Sequence, residues 1–572
     1  MSNRKLIEAK KLTLDGKTKE SFKLILKLEN DKDLTPQEIL SCKIFKAKLL
    51  SELGKYQDAF NITDEILNET LQKGDLVSSL DALLIQIFSY SMLGDIAKSN
   101  LLIERAEKIY EEIKKSMKED YRDRESFLIR MKANMSFWKG EIHHSFELNR
   151  KAFELVKDTD NKELKSASLI NIAENFQLLG NYDEAIVYAK RALEIGYYRL
   201  IPYQIGIIID IFLDNGDIEN AKLYLQRLHD YRKKEKNKAI EDLYHYHKAV
   251  FLKTSLRAKN RLDAEILLKQ LIKDKKFPGE RPFWAEKRVY AIIHLCDLLL
   301  IELRITNDLE VLNDLKENIN RLLEFAEQQN SYWVLAEAHL LQAKLSLVNL
   351  DIRDARQFLT EAQLLAEKYG LNQLAVRISN EHDELLKKLE LWENMKKRDA
   401  SVNERMELAR INEQMDQMIH KKAIESPEIL EEQPVIILII TEGGIPIFSR
   451  SFEEGWSFED HLFSGFLTAV NSFSDELFSK GLDRASFGEH TLLMKSIKPF
   501  LVCYLFKGQT FPAQQRFRFF SDKLKKSKII WETFQNYFET NQIVQQNDIP
   551  LLESLITEIF INNIININSL ES

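Results

Sequence analysis

The sequence predicts a mostly α fold in two parts: an α-solenoid of paired helices, followed by a small α+β domain with a five-stranded antiparallel sheet. Three observations carry this. Gly and Pro are scarce, 18 and 10 in 572 residues, against ordinary usage of about 12% for the two together. Over the first part, helix-ending anchors recur every 36–46 residues. The last part differs in composition: residues 427–572 hold six of the ten prolines, seven of the 18 glycines and 17 of the 32 phenylalanines.

So few turn formers exclude an all-β sandwich or barrel. With 44% hydrophobic and 30% charged residues, the chain is a foldable one and not a disordered one. The net charge of −8 and the pI near 5.9 argue against a nucleic-acid partner, which needs a concentrated basic face. Cys42, Cys296 and Cys503 are far apart and form no CxxC, which points to a reduced, cytoplasmic setting. The N-terminal MSNRKLIEAKK has no apolar core of signal-peptide length. The longest apolar run, Val435–Ile440, is far below the ~20 residues of a membrane helix. No transmembrane segment is expected.

Gly16, Gly54, Gly94, Gly140, Gly180 and Gly216 each close a helix, with a degenerate copy at Lys259 and another at Leu350. Ala59, Ala185, Ala221 and Ala355 lie five residues beyond their anchors; Ala106, Ala152, Ala192 and Ala362 lie twelve beyond. Glycine permits the tight turn after the first helix, and alanine lets helix backbones approach closely. One such pair cannot bury its apolar face alone, so stacked pairs form a continuous core. Phe45, Phe88, Trp138, Phe176 and Phe212 precede anchors as core candidates. Eight to nine pairs are expected over residues 1–395, with one irregular unit around Thr306–Asn330.

Leu53-Gly54-Lys55-Tyr56 with Ala59, and Leu179-Gly180-Asn181-Tyr182 with Ala185 and Ala192, resemble the tetratricopeptide repeat. The period departs from that family's usual 34 residues, which implies longer helices or loops.

Residues 396–430 read as a helical linker. Leu408, Ile411, Met415 and Met418 share one face, so this helix either packs on a neighbouring element or dimerises. Domain three, 431–572, opens with the β-branched run VIILIIT, a Glu442-Gly443-Gly444 turn, and a return strand over 445–452. A helix is expected over 458–480, a second hairpin over 483–497, a central strand over 499–506, a helix over 512–527 and another over 550–563. This order resembles the longin/roadblock group of profilin-like domains, most specifically in VIILIITEGGIPIFS. The whole chain also looks like archaeal, Asgard-type repeat proteins, on SNEHDELLKKLELWE (379–393) and GFLTAVNSFSDELFSKGLDRASFGEHTLLMK (465–495). The resemblance implies binding of a small GTPase, or a homodimer through the C-terminal domain or the linker helix.

Chemistry-bearing motifs are few. Asp15-Gly16-Lys17-Thr18 lacks the first Gly of a phosphate loop, since Lys11 stands there. His143-His144 and His245/His247 do not share a helix face as an i, i+4 metal pair would. Glu381-His382-Asp383-Glu384 reads as a solvated helix face, Cys503 as a core residue, and Lys523, Lys525, Lys526 and Lys528 as an exposed basic patch. No catalytic constellation, cofactor site or metal site is expected. In a solenoid the first helices line the inner groove. That places Phe88, Ser91, Asn134, Phe137, Glu174, Gln177 and Asn181 as candidate partner-binding residues. The function these features predict is a non-enzymatic interaction scaffold with protein partners. The alternative is a ligand-sensing regulatory repeat protein without its own DNA-binding domain.

Overall fold

The computed structural model describes residues 2–14, 17–29, 34–116, 121–235, 238–273, 285–306, 308–398, 400, 404–405, 432–441, 446–452, 484–487, 490–508, 510–540 and 549–561. The backbone forms two compact units. One comprises Met1–Asp351, Glu361–Leu374 and Ala400–Ile424; the other comprises Ile352–Thr360, Ala375–Asp399 and Glu425–Ser572.

The first unit is a run of helix pairs: α1 and α2 (Ser2–Leu14, Thr18–Glu29), α3 and α4 (Pro36–Glu52, Tyr56–Lys73), α5 and α6 (Leu76–Leu93, Ile96–Ser116), α7 and α8 (Arg122–Lys139, Ile142–Val156), α9 and α10 (Lys162–Leu178, Tyr182–Ile195), α11 and α12 (Ile201–Asp214, Ile218–Lys234), α13 and α14 (Lys238–Lys253, Ala258–Leu271), and α15 and α16 (Ala285–Thr306, Leu309–Gln329). Each helix packs on the one before and the one after. Then come α17 (Tyr332–Val348), α18 (Ile352–Lys368), α19 (Asn372–Lys387) and α20 (Leu389–Lys397).

The anchors make one turn, used repeatedly. Gly54, Gly94, Gly140, Gly180 and Gly216 have φ between 75° and 92°, which a Cβ disfavours. The following amide reaches back to the carbonyl four residues before the anchor: Lys55 to Leu50, Asp95 to Tyr90, Glu141 to Ser136, Asn181 to Phe176 and Asp217 to Phe212. This closes the first helix in a Schellman arrangement. Leu350 holds the same conformation at φ 61°, with Asp351 bonded to Ser346. The Lys259 copy differs. There the turn lies at 254–257 and α14 starts at Ala258. Its buried Ala264 and Leu271 nevertheless keep the spacing of five and twelve from Lys259.

The position five past each anchor is small and buried throughout. Serine serves at Ser21, Ser99 and Ser145, where the sequence reading marked alanine only in other copies. Serine is compact enough for the close approach when its hydroxyl is satisfied; Ser21 donates to the Ala9 carbonyl at 2.7 Å. A second recurring bond joins pair members. Ser126 Oγ donates to the Ala152 carbonyl at 2.7 Å, and Ser166 Oγ to the Ala192 carbonyl at 3.1 Å.

Successive pairs also coil until distant repeats meet. Ser331 Oγ donates to the Trp138 carbonyl at 2.7 Å, and Gln329 Oε1 accepts from the Ile96 amide at 2.8 Å. Trp138 packs on Phe325 and Trp333 with ring centroids 5.4 and 6.1 Å apart. Helix α5 alone among the described helices is long and apolar enough to cross a membrane. Its Leu80, Leu83 and Ile87 are buried in the core between repeats.

The second unit holds the sheet: β1 (Gln433–Thr441), β2 (Pro446–Ser451), β3 (Arg484–Phe487), β4 (His490–Ile497) and β5 (Phe500–Lys507), all antiparallel in the order β2-β1-β5-β4-β3. Strand β5 is central, as its PFLVCYLF composition predicts. Alternation divides its two faces. Val502, Tyr504 and Phe506 join Ile437, Ile439, Phe520, Phe534 and Leu552 in one core; Leu501, Cys503 and Leu505 join Ile436, Leu438 and Met494 in another. Both faces are buried, so the strand reads as an unbroken apolar run. Helices α21 (Thr510–Lys526), α22 (Lys528–Thr540) and α23 (Pro550–Ile556) follow, the last continuing as a π-helical turn over Thr557–Ile561. Helix α22 is not among the elements the sequence predicts. Its signal is the i, i+4 pair Ile530 and Phe534, both buried. The expected helix over 458–480, the 442–445 turn, Gly16, and the apolar face Leu408 to Met418 lie outside the described residues.

One expectation is corrected here. The 381–384 segment is not simply a solvated face. Helix α19 packs on edge strand β3, where Arg484, fully buried, donates from Nη1 to Asp383 Oδ1 at 2.9 Å and from Nη2 to Gln514 Oε1 at 2.8 Å. His382 is buried beside it with neither ring nitrogen hydrogen-bonded. Burial, then the charges of Arg484 and Arg356, push its pKa well below the usual imidazole range. Helical periodicity alone cannot show that a strand from residue 484 covers this face.

Candidate functional site

The inner faces of α9, α11, α13 and α15 converge on a polar cluster. Lys287, at the start of α15, is almost fully buried and lies 3.2 Å from Asp210 Oδ2 and 3.7 Å from Glu286 Oε1. Three tyrosine rings surround its ammonium, with Nζ 5.6, 5.7 and 5.6 Å from the centroids of Tyr203, Tyr246 and Tyr290. Cation–π attraction and two carboxylates replace the water this cation has lost.

Asp210 also accepts from His247 Nδ1 at 3.0 Å. The His247 ring fits only because α11 has glycine opposite it: a Cβ on Gly206 would collide with Nε2. A glycine inside a helix costs roughly 1 kcal/mol relative to alanine; here it is needed for the close approach.

The carboxyls outnumber the cations. The Tyr203 hydroxyl donates to Glu174 Oε1 at 2.5 Å, and Gln177 Nε2 donates to Asp214 Oδ2 at 2.6 Å. Burial, then the neighbouring Glu286 charge, raise Glu174 to about 8 despite the pull of Lys287 and Tyr203. Burial raises Glu286 as well, against Lys287. Burial opposes the ionisation of Asp210, but His247 and Lys287 outweigh it and hold this carboxyl far below its usual range. For Lys287 burial is likewise outweighed, by Asp210, Glu286 and Glu174, and its pKa rises. Next along the interior, Lys253 pairs with Asp297 at 2.6 Å and lies 3.0 Å from His294 Nδ1. The result is an enclosed region of mixed charge with an acidic excess at Glu174 and Glu286.

The seven residues expected on the inner surface fall into separate groups. Glu174 and Gln177 belong to the acidic cluster. Asn134 Nδ2 donates to Ser91 Oγ at 2.8 Å, joining α7 to α5. Phe88 is half-buried on α5. Phe137 is buried, with its ring centroid 6.2 Å from that of Trp333. Asn181 is exposed at the N-terminus of α10 and makes no side-chain cap. Asp210, His247 and Lys287 were absent from the sequence reading as site residues. Their one sequence signal was polarity at inner-helix positions, and only coiling of the repeats puts them together. His143 and His144 are exposed. Among the described residues no group of three or more His, Cys, Asp or Glu is arranged to hold a metal ion. All three cysteines are buried and unpaired, and burial raises the Cys503 thiol pKa.

No family model matches this chain, and no curated protein matches it. Among solved structures it is similar to a Rap protein complexed with competence and sporulation factor, at 18% identity, covering 67% of this chain and 100% of that one, with a TM-score of 0.45. It is also similar to the P58(IPK) TPR domain, at 17% identity over 68% of this chain and 98% of that one, TM-score 0.21. A third similarity is to Naa15/Naa10 bound to HypK-THB, at 13% identity over 74% of each chain, TM-score 0.18. The helical-repeat solenoid itself is defined by the turns and packing described above.

Proposed function

We propose that this chain is a cytoplasmic, non-enzymatic scaffold whose solenoid interior engages a protein segment carrying a basic group. The carrying observation is the acidic excess around Glu174. Burial and Glu286 hold the Glu174 carboxyl uncharged near neutral pH, at about 8, although Lys287 is close, and a lysine, arginine or free amine from a partner would let it ionise. Gln177 and Asn134, on neighbouring inner helices, offer hydrogen bonds to an extended backbone. The sheet unit is the second docking module, with a small GTPase as its proposed partner by the longin/roadblock resemblance. The fold alone does not assign that partner. A linker helix over 396–430 between a repeat domain at 1–395 and a sheet domain at 431–572 remains part of this proposal.

A second reading is favoured by one observation. Distant repeats meet through Trp138, Phe325 and Trp333, which encloses the interior and suits a small cationic ligand in a sensor. Affinity purification from the native host, with wild type and Glu174→Gln compared, tests the first reading. It expects a protein partner depleted by the variant. Recovery of no partner, with a small amine raising the melting temperature of wild type only, would replace the scaffold with the sensor.

A further inference from the structure

The second helices of the repeats form the outer face, and one position on them is unusual. Seven residues past the anchors of α10, α12 and α14 stand Val187, Leu223 and Ile266, exposed by 62%, 64% and 46%. The same position holds Asn61 on α4, an exposed Leu101 on α6 and Glu147 on α8. Exposed aliphatic residues scattered singly need no explanation. Three in register on successive repeats form a row, because stacked repeats bring equivalent positions side by side.

Charge borders this row on both sides. One turn towards the N-termini lie Asp183 and Glu184 on α10, Glu219 on α12 and Asp263 on α14. One turn towards the C-termini lie Lys190, Arg191 and Arg227. All are exposed, and none forms an ion pair among the described residues; Lys190, Arg191 and Arg227 lie over the rings of Phe212, Phe153 and Tyr224. Acids early and bases late in a helix favour each helix dipole. Across α10 and α12 they also make an acidic rail and a basic rail, with the aliphatic row between; on α14 the base at this place, Lys269, is paired with Glu265 and Asp314.

We propose that this face is a homodimer interface, its occupant a second copy of the chain. The face is self-complementary. A two-fold axis along the row lays Val187, Leu223 and Ile266 on their own counterparts and reverses the helix direction. Acidic and basic positions stand three or four residues either side of the row. Asp183 therefore faces the Arg191 position of the second copy, and Glu219 faces its Arg227 position. A two-fold axis along the helices would instead oppose like charges. Isologous pairing of this kind is the commonest route to a closed dimer, and opposed rails select its orientation. Three aliphatic side chains per copy make the contact small and the dimer weak.

Sedimentation velocity of the full chain, up to about 100 µM, tests this. The expected result is a concentration-dependent shift towards dimer mass. Leu223→Asp should weaken association at least tenfold. Leu101→Asp, at the same position on α6 and exposed at 65% but flanked by Asn61 and Glu147 on the neighbouring second helices, should leave it unchanged. Arg227→Glu should weaken association, and adding Glu219→Arg should restore it. All four positions are exposed, so thermal melts should stay close to wild type, short of it only by the small helix-dipole cost of the charge reversals. A chain that stays monomeric, or a dimer that Leu223→Asp and Leu101→Asp affect equally, overturns the proposal.

Discussion

The solenoid and the sheet unit solve the same burial problem with opposite chain economy. In the solenoid almost every stabilising contact joins helices adjacent in sequence, and one turn is reused with small changes. In the sheet unit the central strand arrives last, so β1 finds its partner some sixty-five residues away, with Leu438 opposite Cys503. Its edge strand β3 is held by α19 through Arg484 and Asp383, 101 residues apart. Local contacts let a repeat tolerate a degenerate copy such as Lys259. Non-local contacts make the sheet unit depend on single buried links.

That contrast can be broken or sharpened by substitution. The largest effect is expected at Arg484. Arg484→Ala strands Asp383 and Gln514 in a covered site and should cost about 3–5 kcal/mol, read as loss of the sheet unit's transition in denaturant unfolding. Retention of most stability would mean that this ion pair does not hold α19. In the solenoid, Gly206→Ala should destabilise by about 1–3 kcal/mol through overpacking against His247, although alanine is the better helix former by ~1 kcal/mol. A stabilised variant would show that the His247 ring has another place to go.

Glu174 predicts a pH dependence of defined sign. Its folded pKa of about 8 lies above the ordinary value of 4.5. Between these values the folded state holds a proton that the unfolded chain has lost. Stability from this group therefore falls as pH rises through that window, and the full cost remains above it. Glu174→Gln should flatten this limb in urea midpoints measured across the window. An unchanged slope would place the titration elsewhere in the cluster.

Two smaller effects test how far the solenoid is local. At Leu350 the left-handed backbone costs roughly 1–2 kcal/mol, whereas its buried side chain contributes about 1.5–3 kcal/mol. Leu350→Gly should thus destabilise by about 1 kcal/mol, and a stabilised variant would show that backbone strain wins. Thr35 caps α3, with reciprocal bonds between Thr35 and Glu38. Thr35→Ala should cost about 1 kcal/mol, visible as faster amide exchange in the first turn of α3 and little change elsewhere.

Much of the molecule was legible in its residues. The anchors from Gly54 to Gly216, and even Leu350, announced turns because a helix must end in a conformation few residues accept. The apolar runs of β1 and β5 announced strands buried on both faces. The site was less legible: Glu174 and Gln177 could be counted back from an anchor, but Asp210, His247 and Lys287 could not be joined to them. The sequence by itself determined the repeat, its turns and the strands, because these follow from contacts a few residues apart. Only the tertiary structure decided that Trp138 meets Trp333, that Gly206 yields to His247, and that Arg484 covers His382. Those depend on where many small rotations between repeats, and one long return of the chain, finally bring side chains together.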